Sequence, residues 1–104
     1  MKFTVALSLA TAAAAVQINY YSDGGCSQYI TSPPSVPTDG SCYQYQFGGT
    51  NSANIADCDH SICECIFYTG ANCQGAQDVA ISPGDNCASD YGSGLQSFQC
   101  VVTG

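Results

Sequence analysis

The segment "CDHSICEC", residues 58–65, holds the densest set of chemically reactive side chains in the sequence. Its three cysteines and His60 are residue types that bind zinc, and Glu64 lies among them. The spacing differs from the paired cysteines of structural zinc sites, and an oxidising export route favours disulfides. The segment therefore predicts disulfides and no metal, with a zinc site as the alternative. Cys63 and Cys65 should bond to different partners, because a bridge between residues two apart is strained.

Few other residues offer catalytic chemistry. His60 is the only histidine, so a Ser-His-Asp hydrolase has one candidate base, and no Gly-x-Ser-x-Gly sequence accompanies it. A glycosidase would need Glu64 and an aspartate on opposite sides of a cleft. A ribonuclease would need cations beside the phosphate, and Lys2 is the only lysine or arginine. The sequence predicts a non-enzymatic protein without a cofactor, and a small secreted hydrolase is the weakest alternative.

The first fifteen residues, "MKFTVALSLATAAAA", have the pattern of a signal peptide. Lys2 supplies the positive start, an apolar stretch follows, and the closing alanines offer a cleavage site. A buried N-terminal helix is the alternative, and the apolar stretch is short for a membrane span. Residues 16–104 are therefore expected to form one secreted domain that does not insert into membranes.

The charge of this domain restricts its partners. The whole chain has a net charge of −7, and removing Lys2 changes it to −8 with no lysine or arginine left. Nucleic acids and anionic lipids are bound through cations that neutralise phosphate. The composition therefore excludes nucleic acid as a partner and leaves an extracellular protein or glycan as the expected target of a monomeric domain.

The domain contains eight cysteines, an even number that predicts four disulfides in a short exported chain. They are Cys26, Cys42, Cys58, Cys63, Cys65, Cys73, Cys87 and Cys100. Each bridge contributes about 2–4 kcal/mol by restricting the unfolded chain, which a small domain with a small core needs. Eight cysteines allow 105 pairings, and the sequence does not choose among them.

The local sequence pattern predicts β-strands throughout. The strand candidates are "VQINYYS" (16–22), "CYQYQFGG" (42–49), "CECIFY" (63–68) and "LQSFQCVV" (95–102). The proline-rich segment 31–40 cannot be a central strand, and residues 51–57 allow at most one helical turn. Short strands between Gly-, Asn- and Ser-rich turns predict an all-β sandwich or barrel stabilised by disulfides.

Two parts of the chain resemble each other. "YYSDGGCSQ" (20–28) aligns with "FYTGANCQG" (67–75), which places Cys26 over Cys73. Each half then carries one cysteine near its middle and one near its end. The domain is therefore interpreted as two diverged copies of one unit, residues 16–60 and 61–104.

The second copy resembles the Greek-key motif of the βγ-crystallin family. Tyr68, Cys73 and Gly75 are spaced like the aromatic, aromatic and glycine of its folded hairpin, and Ser97 follows about twenty residues later, where the family has a serine that ties the hairpin down. The resemblance implies a β-sandwich of two Greek-key-like halves. It also implies that Tyr68 packs over the hairpin, that Gly75 has a backbone conformation other residues resist, and that Ser97 bonds to the turn.

The first copy repeats this pattern with Tyr21, Cys26 and Ser52, although Gln28 replaces the glycine. Microbial members of the family bind calcium through adjacent Asn or Asp residues before the serine. Residues 93–96 offer none, so no metal is expected. Some secreted killer toxins share this fold. The leader and the acidic cysteine-rich domain are also similar to small secreted proteins of filamentous fungi.

Tyrosines are concentrated in the first half. Tyr20, Tyr29, Tyr43 and Tyr45 are the candidate binding surface for a sugar or a protein. Packing in the core, with ordinary tyrosines at the surface, is the simpler and favoured interpretation. If the tyrosines do form a binding surface, the lack of tryptophan makes a sugar less expected than a protein as the ligand. The leading hypothesis is a secreted effector or toxin-like protein that acts on other organisms by binding a surface protein or glycan. The alternative is a structural or interaction protein of the producer's own cell wall.

Overall fold

The computed structural model describes residues 16–89 and 92–104. The predicted signal peptide, residues 1–15, lies outside them. Within the described residues, the strands are β1 (Val16–Tyr21), β2 (Tyr29–Thr31), β3 (Tyr43–Gln44), β4 (Ser52–Cys58), β5 (Ile62–Tyr68), β6 (Gln77–Ser82), β7 (Ala88–Ser89) and β8 (Ser97–Thr103). One short 3₁₀ turn, Ala71–Cys73, lies between β5 and β6.

The strands form two four-stranded sheets. The first has the order β2-β1-β4-β7 and the second β3-β8-β5-β6. All neighbours within a sheet are antiparallel. The predicted all-β, disulfide-rich sandwich is confirmed.

Each half of the chain gives three strands to one sheet and its remaining strand to the other. Strand β3 of the first half pairs with β8, so that Tyr43 lies opposite Phe98. Strand β7 of the second half pairs with β4, so that Ala88 lies opposite Ala53. Neither sheet is therefore complete without both halves.

The core lies between the two sheets and is centred on aromatic rings. Strand β1 directs Val16, Ile18 and Tyr20 inward, each at most 1% exposed, as the two-residue period of a strand requires. The rings of Phe67 and Phe98 are fully buried, with centroids 5.2 Å apart. Burying these side chains stabilises the fold through the hydrophobic effect, although a domain this short can bury only a small core.

Two strand predictions need correction. Residues 51–57, expected to hold at most a helical turn, are mostly part of β4. Ser52, Ala53 and Ile55 are buried there, and pairing with β1 and β7 on either side overrides their weak strand preference. The predicted strand at 42–49 shrinks to Tyr43–Gln44, because this segment leaves its own half and pairs only with the start of β8.

The four predicted disulfides are confirmed, and no cysteine is free among the described residues. The bridges are Cys26–Cys87, Cys42–Cys73, Cys58–Cys63 and Cys65–Cys100. Cys63 and Cys65 have different partners, as predicted. In the first two bridges, the hairpin cysteine of each half joins the middle cysteine of the other half. The disulfides thus repeat the exchange seen in the strands.

Two buried serines hold the hairpin loops of the two halves in the same way. Ser97 Oγ accepts a hydrogen bond from the Cys73 amide (2.8 Å) and donates one to the Gly70 carbonyl (2.7 Å). Ser52 Oγ makes the equivalent two bonds: it accepts from the Cys26 amide (3.0 Å) and donates to the Asp23 carbonyl (2.6 Å). Both serines are fully buried, so each satisfies backbone groups that water does not reach easily.

The second loop also depends on Gly75. Its φ is +94°, in the region that favours glycine. A Cβ there would lie 2.9 Å from Thr69 Oγ1 and 3.0 Å from the Gly70 amide nitrogen. Any side chain at this position would therefore disturb the turn. Gln28, its counterpart in the first loop, is not among the residues with positive φ, so the first loop is stabilised differently.

Candidate functional site

The cysteines near the junction of the halves are used in disulfides and cannot bind metal as thiolates. Cys58 bonds to Cys63, and Cys65 bonds to Cys100. Within the described ranges, no group of three or more potential ligand residues is placed to hold a metal ion. His60 lies in the loop that the first of these bridges closes, and its Nδ1 is buried without a hydrogen-bond partner.

A cavity of about 260 Å³ opens beside the second half. Phe67, Ala76 and Leu95 form its apolar part, and Asp78 is the ionisable residue among the described lining residues. The Asp78 carboxylate accepts hydrogen bonds from the backbone amides of Ser89 (2.9 Å) and Val79 (3.0 Å). Neither His60 nor Glu64 lines this cavity, so the residues considered for catalysis do not converge there.

The predicted tyrosine surface is partly wrong. Tyr20 is fully buried and donates a hydrogen bond to the Tyr45 carbonyl (3.0 Å). Burial raises its pKa far above the usual range, so it remains neutral. Tyr43 and Tyr45 are half-buried and stack with centroids 6.0 Å apart. Burial also raises the pKa of Tyr43. Both rings contact aromatic rings of the core, Tyr45 against Tyr20 and Tyr43 against Phe98. Of the four predicted tyrosines, only Tyr29, 57% exposed, lies at the surface.

Around Tyr29, the outer face of the first sheet carries uncharged polar side chains, and the exposed carboxylate of Asp57, opposite Gln17, lies at the far end of this face. We call this surface the amide–tyrosine face. Its members are Gln17, Asn19, Tyr21, Tyr29, Ser32 and Asn54. On β1, Gln17 and Asn19 alternate with the core residues, so the strand period places them on the outside. Tyr21 follows in the same direction but is only 8% exposed. Tyr21 lies opposite Tyr29, with ring centroids 6.3 Å apart.

The side chains of this face form one directed chain of hydrogen bonds. Ser32 Oγ donates its one hydrogen to Asn19 Oδ1 (2.7 Å). The Tyr29 hydroxyl, 2.8 Å from Ser32 Oγ, must therefore be the donor in the bond between them. Asn19 Nδ2 donates to the Tyr21 hydroxyl (3.4 Å), which donates to Asn54 Oδ1 (3.1 Å). Such a chain fixes the orientation of each group and polarises its neighbours.

The corresponding positions of the second sheet carry different residues. Tyr68 repeats Tyr21 and donates to Gln99 Oε1 (2.6 Å), as Tyr21 does to Asn54. At the position that corresponds to Asn19, however, the second sheet has Ile66. The shared fold therefore does not require an amide at position 19. The sequence did not point to Asn19 and Asn54 as site residues. Polar residues that alternate along a strand indicate only which side of the sheet faces solvent.

The loop beside this face is held by Asp23, which the sequence did not single out. Its carboxylate accepts hydrogen bonds from the Ser27 hydroxyl (2.6 Å) and from the backbone amides of Ser27 (3.0 Å), Gln28 (2.9 Å) and Gly25 (3.2 Å). The Ser27 hydroxyl and these amides hold the pKa of Asp23 well below its usual range. Asp23 thus fixes the first loop without a glycine at position 28.

We expect this carboxylate to make stability depend on pH on the acidic side. A lowered pKa in the folded state stabilises the fold above the unfolded value of about 4. That contribution is lost as pH falls through the folded pKa. Asp23→Asn should therefore destabilise the protein at pH 7 and reduce the loss of stability between pH 7 and strong acid. Denaturant midpoints at both pH values test this, with Asp57→Asn as the charge-matched control. If wild type and Asp23→Asn lose the same stability between pH 7 and strong acid, Asp23 does not cause the acid dependence.

Comparisons with known protein families, curated proteins and solved structures find no significant match. Among the described residues, no helix is long and apolar enough to span a membrane.

Proposed function

We propose that this chain is a secreted, non-enzymatic protein that acts on other organisms by binding a neutral surface glycan through the amide–tyrosine face. The observation that carries the proposal is the directed chain of hydrogen bonds from Tyr29 to Asn54. Four disulfides are typical of extracellular proteins, which supports secretion. The paired serine ties support a relationship in architecture with the βγ-crystallins.

The chemistry of the face suits a polyhydroxyl ligand. Amide and hydroxyl groups both donate and accept hydrogen bonds, as sugar hydroxyls do, and none of the six side chains is charged at neutral pH. The exposed ring of Tyr29 adds an apolar surface for the C–H face of a sugar ring. The bonds within the face hold the polar groups in place before binding, which lowers the entropic cost of association.

A glycan-binding experiment tests the site. Oxidised protein is applied to an array of neutral and charged glycans and to wall polysaccharides of plant, insect, yeast and bacterial origin. Wild type should bind a class of neutral glycan, and Tyr29→Ala and Asn19→Ile should each weaken binding at least about tenfold. Phe47→Ala, which removes another exposed aromatic ring (43% exposed) outside the face, should bind like wild type. Unchanged binding by Tyr29→Ala would refute the site.

The biological part of the proposal needs a separate measurement. Oxidised wild type and Tyr29→Ala are applied to plant, insect, yeast and bacterial cells, with reduced and alkylated protein as a control. Damage or an immune response in one group, lost in the variant and on reduction, is the expected result. Retention of the protein in the producer's wall fraction, with no response in any group, would favour the wall-associated alternative instead.

A further inference from the structure

The outer face of the second sheet is aliphatic, in contrast to that of the first. We call it the aliphatic face. Its members are Ile62, Ile66, Val79, Ile81 and Val101. The strand register makes it continuous. Ile81, Glu64 and Val101 lie side by side across β6, β5 and β8, and the next outward row consists of Val79, Ile66 and the polar Gln99.

These aliphatic side chains are in contact with solvent. Ile62 is 45% and Val101 46% exposed, and Ile66, Val79 and Ile81 are half-buried. Strand alternation accounts for their direction, since Cys63, Cys65 and Phe67 of the same strand are buried in the core. Adjacent exposed aliphatic side chains on a sheet are typical of a surface that another molecule covers.

The fold does not demand aliphatic residues here. The equivalent of Ile66 in the first sheet is Asn19. Val101 pairs with Glu64, whereas the first sheet has a bulge at Ala56, and Gln17 pairs with Asp57 there. Both halves make the same tyrosine and serine contacts. Ile66 and Asn19 thus differ in chemistry beside the same tyrosine and serine contacts, and this difference requires an explanation beyond folding.

Charge decides which partner fits. Glu64 lies at the centre of the aliphatic face, between Ile81 and Val101. Asp39 pairs with Val101 on its other side, in an isolated β-bridge. The hydroxyl and amide of Ser41 lower the pKa of Asp39, so it is ionised at neutral pH. An occupant of this face must therefore satisfy carboxylates as well as cover aliphatic side chains.

A second copy of the chain does not meet this requirement. A twofold contact places the same patch against itself, so the face would bring one Glu64 towards the other. Residues 16–104 contain no lysine or arginine that could neutralise them. A carboxylate buried without a partner is costly. Anionic lipid would be repelled for the same reason.

We propose that the aliphatic face docks a protein surface in which apolar side chains surround a lysine or arginine. Contact between aliphatic groups would provide most of the binding free energy, and the cation would pair with Glu64 as water is excluded. This proposal is independent of glycan binding, because it uses the opposite face of the sandwich and different residues. Together, the two faces would let one chain hold a glycan and a protein at the same time.

The test uses the whole oxidised protein and a synthetic extended peptide of about twelve residues in which leucine and lysine alternate. Binding is followed by fluorescence anisotropy. Wild type should bind this peptide, and Glu64→Gln, Ile66→Asn and Val101→Thr should each weaken binding about tenfold. Ile66→Asn introduces the residue that the first half has at the same position. Unchanged circular dichroism and denaturant midpoints establish that the variants are folded.

The controls separate docking from general attraction by an acidic protein. Asp57→Asn removes one charge from the other sheet and should bind like wild type. A leucine–glutamate and a serine–lysine peptide should not bind measurably. The proposal is overturned if the serine–lysine peptide binds as well as the leucine–lysine peptide, or if Asp57→Asn weakens binding as much as Glu64→Gln does. Capture by neutral phosphatidylcholine vesicles, or a dimer in sedimentation that Ile66→Asn dissociates, would also overturn it.

Discussion

Replacing Cys26 and Cys87 together by serine should lower the free energy of unfolding by about 4 kcal/mol. This bridge spans 61 residues of sequence, so its removal frees the largest loop of the unfolded chain. The loss is comparable to the total stability of many small domains. Denaturant unfolding followed by tyrosine fluorescence measures it.

The matched control is the shortest bridge. Cys58 and Cys63 are 5 residues apart, and replacing both by serine should cost only about 2 kcal/mol by the same relation. Both double variants keep three bridges and no unpaired thiol, so only loop length and the local site differ. A larger loss for the short bridge would show that local packing, and not restriction of the unfolded chain, determines what these disulfides contribute.

Ser97→Ala should lower the free energy of unfolding by about 2–3 kcal/mol. The substitution removes the one group that accepts from the Cys73 amide and donates to the Gly70 carbonyl. Both backbone groups are partly buried and would be left without their partner, which costs more than the loss of an exposed hydrogen bond. Thermal or denaturant unfolding measures the change.

Two further serines serve as comparisons for this variant. Ser52→Ala should have a similar effect, because Ser52 Oγ makes the same two contacts in the first half. Ser93→Ala alters an exposed serine and should change stability by less than about 0.5 kcal/mol. If Ser97→Ala behaves like Ser93→Ala, the hairpin does not depend on the serine tie.

Much of this architecture could be predicted from short patterns in the sequence. Alternation in β1 and β5 depends on residues with a strong preference for strands, such as Ile18 and Phe67, and these strands form where they were expected. Eight cysteines in a short chain predicted four bridges. The pairing could not be predicted, because it depends on which strands cross between the sheets, and no local pattern records that.

The candidate site was less predictable than the fold. Tyr20 and Tyr29 were both predicted to lie on a binding surface, yet Tyr20 is in the core and Tyr29 is 57% exposed. Their difference comes from strand phase and from the partner strands. Asp23 was equally hidden, since an aspartate before Gly-Gly predicts a turn but not a carboxylate that accepts four hydrogen bonds. The amide–tyrosine face emerges only when β1, β2 and β4 are placed side by side.

The exchange of strands has a consequence for the growing chain. Synthesis proceeds from the N-terminus, so β1, β2 and β4 all exist before the residues of β7 that complete their sheet. Cys26 and Cys42 are likewise made long before Cys87 and Cys73, their partners in the other half. Until the second half is made, the first half is therefore an incomplete sheet with three thiols, Cys26, Cys42 and Cys58, that could pair wrongly with one another. Correct oxidation must follow the synthesis of both halves, and a fragment ending near residue 60 should not reach the native fold.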